Sequence, residues 1–160
     1  MKVSAVVAYD VATSRAVVLV ADVGHVVTVQ AVIPCDVGAE VRRPSGEPRR
    51  SVTGEHVRAL ACSLAARCDG ADLVLLEAPG PARDTAGRRA TWIACETLEA
   101  LEARGAEVAM VPGGWRSGEH VRALLRASLG GWAPELDGPE LGAGAILVGW
   151  LALNGRPAAA

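Results

Sequence analysis

Four acidic residues stand where the pattern of the chain changes. Asp10 closes the apolar run "KVSAVVAY", Glu77 closes "ADLVLL", and Asp137 and Glu140 open the last apolar stretch in "LDGPELGAGAILVGWLAL". A carboxylate at the end of a buried strand is presented at the rim of a sheet. If several such rims coincide, their oxygens form a site for a hard divalent cation such as Mg²⁺ or Mn²⁺. Two such ions a few ångström apart can activate water and stabilise a leaving oxygen in phosphodiester hydrolysis, with no side-chain nucleophile. An acid at a strand end is also an ordinary structural feature, so these residues matter only if the fold brings them together.

The elements that must do so are legible in outline. Residues 2–9 read as a buried strand, "RAVVLVA" (15–21) as a second and "HVVTVQAVI" (25–33) as a third, which makes an antiparallel meander. Residues 34–52 carry three prolines and four arginines and read as a long loop. A helix opens near Thr53, with Val57, Leu60, Ala61 and Leu64 at helical spacing. Then come a strand over 71–77, a loop over 78–86, a helix over 87–104, a strand over 106–111, a helix capped by Ser117, and a last apolar helix over 140–153. The order is β-β-β-α-β-α-β-α-α. It predicts a single α/β domain over 1–160, a five-stranded mixed sheet flanked by helices, with strands one to three antiparallel and strands four and five parallel to strand one. In that sheet the first and fourth strands are neighbours, so Asp10 and Glu77 converge.

The heptapeptide "GEHVRAL" occurs at 54–60 and again at 118–124. The flanking sequences share almost nothing, so no domain is duplicated. Each copy follows a hydroxyl residue (Thr53, Ser117) and places a glutamate in a first helical turn, where a cap and the helix dipole favour both. The repeat is one local solution used twice. The alternative, His56 and His120 as metal ligands, lacks neighbouring ligands in the sequence.

Composition excludes some functions. Half of the 160 residues are hydrophobic (51%), so the chain should fold, and the net charge of -2 gives no general attraction to nucleic acid or anionic membrane. Any nucleic-acid contact must be a local patch. Cys35, Cys62, Cys68 and Cys95 form no CxxC pair and read as reduced, mostly buried thiols of a cytoplasmic protein. The first run is broken by Asp10 and is not a signal peptide, and the run 145–153 is too short to span a bilayer.

This element order is that of the ribonuclease H-like superfamily, and within it the chain resembles the RuvC-type Holliday junction resolvases. The stretches that carry the resemblance are "VVAYDVATSRAVVLV", "DLVLLEAPGPARDTAGRRAT", "VAMVPGGWRSGEHVRALLRASL" and "PELGAGAILVGWLAL". The resemblance implies a metal-dependent, structure-selective DNA endonuclease. Asp10, Glu77 and Glu140 would hold Mg²⁺ (or Mn²⁺), with Asp137 as a further acid. Arg83, Arg88, Arg89, Trp115 and Arg116 would contact DNA, and the protein would act on four-way junctions as a homodimer. The family has two acids about one turn apart in its last helix. Here Ala143 or Gly144 stands where the second falls after Glu140, and Asp137 with Glu140 gives the other register. The basic residue often found at the head of the helix after the fifth strand is replaced by Gly118 or Glu119. Two other readings follow from these residues. One is an inactive ribonuclease H-like scaffold used for binding or assembly. The other is a relative of the actin-like ATPases, whose phosphate-loop hairpin "AYDVATSRAVVLVADVGHVV" also resembles, although those proteins close two such domains around a nucleotide.

Overall fold

The computed structural model describes residues 1–24, 27–36, 53–113, 119, 122–123, 136 and 138–154. Its strands are β1 (Lys2–Asp10), β2 (Arg15–Val23), β3 (Val27–Asp36), β4 (Leu73–Ala78) and β5 (Val108–Pro112). Its helices are α1 (Gly54–Arg67), α2 (Thr85–Ala103) and α3 (Pro139–Leu153). The strands form one sheet in the order β3-β2-β1-β4-β5. β1 runs antiparallel to β2 and parallel to β4, β2 antiparallel to β3, and β4 parallel to β5. This is the expected five-stranded mixed sheet. The helix expected to open at Ser117 lies mostly outside the described residues, although Glu119, Arg122 and Ala123 are helical.

Alternation along the strands divides the core in two. Val3, Ala5 and Val7 of β1, Val17, Leu19 and Ala21 of β2, and Leu75 of β4 face α3, meeting Ala143, Ile146, Leu147 and Leu151. Val6 and Ala8, Val18 and Val20, and Val74 and Leu76 face the other way, onto α1 and α2 through Val57, Leu60, Leu64, Ile93 and Leu101. Both faces of the central strands are covered, which explains why β1 and β4 read as continuous apolar runs. Each fully buried Leu or Val contributes about 1.5–3 kcal/mol.

Element ends departed from expectation for identifiable reasons. β3 continues through Pro34 to Asp36, with Pro34 paired to Val17. An edge strand tolerates a proline because its outer side needs no ladder donor. α2 begins at Thr85, two residues early, because the Asp84 side chain accepts from the Gly87 N–H at 2.7 Å and caps the helix. α1 opens as expected, with the Thr53 side chain accepting from the His56 N–H. Of the four thiols expected to be mostly buried, Cys68 is buried, Cys35 half-buried, and Cys62 and Cys95 exposed on the outer faces of α1 and α2. All four are free. Burial pushes the Cys68 thiol up to about 11. No helix among the described residues is long and apolar enough to cross a membrane.

Candidate functional site

A defect in β1 decides where Asp10 points. Val7 pairs with Val17, but Asp10 pairs with Arg15, so β1 carries one more residue than β2 across this interval. Without that extra residue Asp10 would share a face with Val6 and Ala8, toward α1 and α2. Instead Ala8 and Tyr9 both pack toward the α1/α2 cluster, which is where the alternation slips. Asp10 is returned to the opposite face, opposite Arg15, whose neighbours Val17 and Leu19 pack under α3. A bulge that re-aims a side chain is a common device at functional rims.

Glu77 reaches the same face by simple alternation. It is two residues beyond Leu75, which packs under α3, and its partner on β5 is Val111 of the same cluster. Glu77 is half-buried. Gly113, just past β5, lies against it, and a Cβ there would sit 2.5 Å from Glu77 Oε1. Glycine at 113 therefore makes room for the carboxylate.

α3 delivers the third acid. Glu140 is in its first turn, behind Gly138 and Pro139. Gly138 has φ +51, and a Cβ there would come within 3.2 Å of Thr13 Cγ2, so the head of the helix rests on the turn after Asp10. A Cβ on Gly142 would meet Val7 Cγ2 at 3.3 Å. The small residues 142–145 let α3 lie close to the sheet. Asp10, Glu77 and Glu140 thus belong to one face of the sheet, with Glu77 one residue past the Val6–Leu76 pair and Asp10 four residues past it along the bulged end of β1.

Existing partners are specific. Asp10 Oδ2 accepts from the Thr13 N–H at 2.9 Å and from the Thr13 hydroxyl at 2.5 Å, which closes the turn 11–14. Ser14, at φ +55, takes the left-handed position that a glycine would occupy without cost. Arg15 Nη2 donates to Glu140 Oε1 at 3.2 Å, and Glu140 is only 17% exposed. Three carboxylates, with no thiol or imidazole, suit a hard divalent cation in kind. Among the described residues, however, no three acids, histidines or cysteines are close enough together to hold a metal ion as they stand.

The remaining expectations divide by position. Arg83 and Arg88 are exposed and Arg89 half-buried, around the N-terminus of α2, the helix that follows Glu77's strand. That end carries no acidic residue in its first turn, but the Asp84 carboxylate caps it, so the arginines surround one negative charge at the positive end of the helix dipole. Asp137, Trp115, Arg116, His120 and Gly118 lie outside the described residues. His56 is exposed on α1. Ala143 and Gly144, where a second acid was sought in the last helix, are buried, Ala143 completely. That position faces the core. Sequence reasoning overlooked Arg15, Gly113 and Thr13. Arg15 had a signal, since a short turn after Asp10 must set the opening residue of β2 opposite the acid.

Two solved structures have this architecture. One is the Thermus thermophilus RuvC structure, at 17% identity and TM-score 0.64, covering 98% of this chain and 98% of that one. The other is T. thermophilus RuvC in complex with a Holliday junction substrate, at 17% identity and TM-score 0.64, covering 96% and 95%. The likeness establishes the fold, which is the ribonuclease H-like fold with the RuvC arrangement of elements. No family model matches the chain, and no curated protein is significantly similar to it in sequence.

Proposed function

We propose that this protein is a metal-dependent, structure-selective DNA endonuclease that acts on four-way junctions. The observation that carries the reading is the β1 bulge, which puts Asp10 on the face shared by Glu77 and Glu140. It is supported by the likeness, over nearly all of the chain, to T. thermophilus RuvC, one structure of which is in complex with a Holliday junction substrate. Asp10, Glu77 and Glu140, with Asp137 three residues before Glu140 in sequence, would hold Mg²⁺ or Mn²⁺. When bound, the ion supplies the positive charge that favours attack by water on the phosphodiester and departure of the leaving oxygen. The chain's own residues orient and anchor. Thr13 fixes the Asp10 carboxylate, Gly113 leaves space for that of Glu77, and Arg83, Arg88 and Arg89 hold backbone phosphates at the mouth of α2. Trp115 and Arg116, which lie outside the described residues, would add further DNA contacts. Symmetric cutting of a junction with two-fold symmetry calls for a homodimer.

A second reading has its own observation. Glu140 is already engaged by Arg15, and no three potential ligands are gathered among the described residues. A scaffold that keeps the fold but binds junctions or partners without cutting would look like this.

Cleavage of labelled four-way, splayed-arm and linear DNA with Mg²⁺ or Mn²⁺, beside an Asp10→Asn control, separates the two. The endonuclease reading predicts paired, symmetric nicks in the junction that vanish in the variant. Junction binding with no cutting by folded wild-type protein would leave the scaffold.

A further inference from the structure

The Arg15 guanidinium holds a place that a cation of the site would want. Arg15 is the cross-strand partner of Asp10, and its Nη2 reaches Glu140 Oε1 at 3.2 Å. Its side chain therefore starts beside one acid of the candidate site and ends on another. The Glu140 carboxylate is 17% exposed while Arg15 is 38% exposed, so the pair sits in the wall of the site rather than in open solvent. Arginine stays charged at any working pH. A divalent ion bound to Glu140 would have to share that carboxylate with a guanidinium a few ångström away, against strong like-charge repulsion.

We infer that Arg15 is the resident cation on the Glu140 side of the site and takes the place of a second metal ion. This inference rests on the metal-site reading above and narrows it, because Glu140, held by Arg15, leaves the set of direct ligands. One divalent ion then binds on the Asp10–Glu77 side, while Arg15 holds the Glu140 carboxylate in place beside it. Arg15 is a positioning residue, acting through Glu140.

The test is titration of the full chain with Mn²⁺, followed by electron paramagnetic resonance and calorimetry, for wild type, Arg15→Gln and Arg15→Lys. Wild type is expected to bind about one ion. Arg15→Gln should gain a second ion or bind at least about tenfold more tightly, since a charge at contact range has been removed. Arg15→Lys should return to the wild-type count. Circular dichroism checks folding, and Arg15→Met, which keeps the aliphatic stem, replaces Arg15→Gln if that variant does not fold. The same count and affinity in wild type and the neutral variants would overturn the role of Arg15 while leaving the metal site standing. No Mn²⁺ bound by any of these proteins would overturn both, and a second ion already present in wild type would overturn the substitution of arginine for metal.

Discussion

At the scale of single residues, the carboxylates are set by small neighbours. Asp10 serves its own turn through Thr13 before it serves any ligand. Asparagine retains an acceptor for the Thr13 N–H, whereas alanine leaves it without one. Asp10→Ala should therefore lower unfolding stability by about 1 kcal/mol, and Asp10→Asn by clearly less, in urea titrations. Equal losses would mean that the turn does not depend on this side chain. Gly113→Ala is a sharper probe. Its methyl would sit 2.5 Å from Glu77 Oε1, and the flexible end of the glutamate can move aside at little cost. Stability should stay within about 0.5 kcal/mol of wild type, while Mn²⁺ affinity falls because the carboxylate is displaced. Unchanged affinity would remove Glu77 from the site. The acids themselves were legible in the sequence because each ends or opens an apolar run. The residues that tune them were not, because Thr13, Arg15 and Gly113 acquire their meaning only from pairing and packing across the sheet.

At the scale of elements, the decisive features are a bulge and a close-packed helix. The strand order followed from the sequence of elements and the burial of β1 and β4 on both faces. The bulge did not, because "VVAYD" carries no glycine or other mark of an extra residue. Strict alternation would have aimed Asp10 at α1 and α2. Pro34 misled in the opposite direction, since a proline near a strand end reads as a stop unless the strand is known to be an edge. α3 settles a question of register. An acid at 143, one turn after Glu140, would point into the core, because Ala143 is fully buried against the sheet. Ala143→Asp should thus destabilise the protein by roughly 3 kcal/mol or more, without creating a ligand. Denaturant unfolding checks the first part and Mn²⁺ titration the second. A stable variant with tighter metal binding would show that the helix is rotated from the register described here. The acid that this helix head carries among the described residues is accordingly Glu140.

At the scale of the whole molecule, the proposed DNA binding by a chain with net charge -2 would depend on placement of charge rather than on amount. The exposed Arg83 and Arg88 flank the N-terminus of α2, Arg83 in the loop after β4 and Arg88 within the helix. If each neutralises one phosphate, the slope of log affinity against log salt should fall by about 1 for each arginine replaced by alanine, with affinity reduced alike for junctions of different sequence. An unchanged slope in the double variant would place the DNA contact elsewhere. The central claim is that Asp10 and Glu77 share one divalent ion at the rim where β1 and β4 end. Anomalous diffraction from crystals soaked in Mn²⁺ tests it most directly. One strong peak is expected within about 2.3 Å of carboxylate oxygens of both Asp10 and Glu77. A well-ordered rim with no peak there, or a peak that touches neither residue, would contradict it.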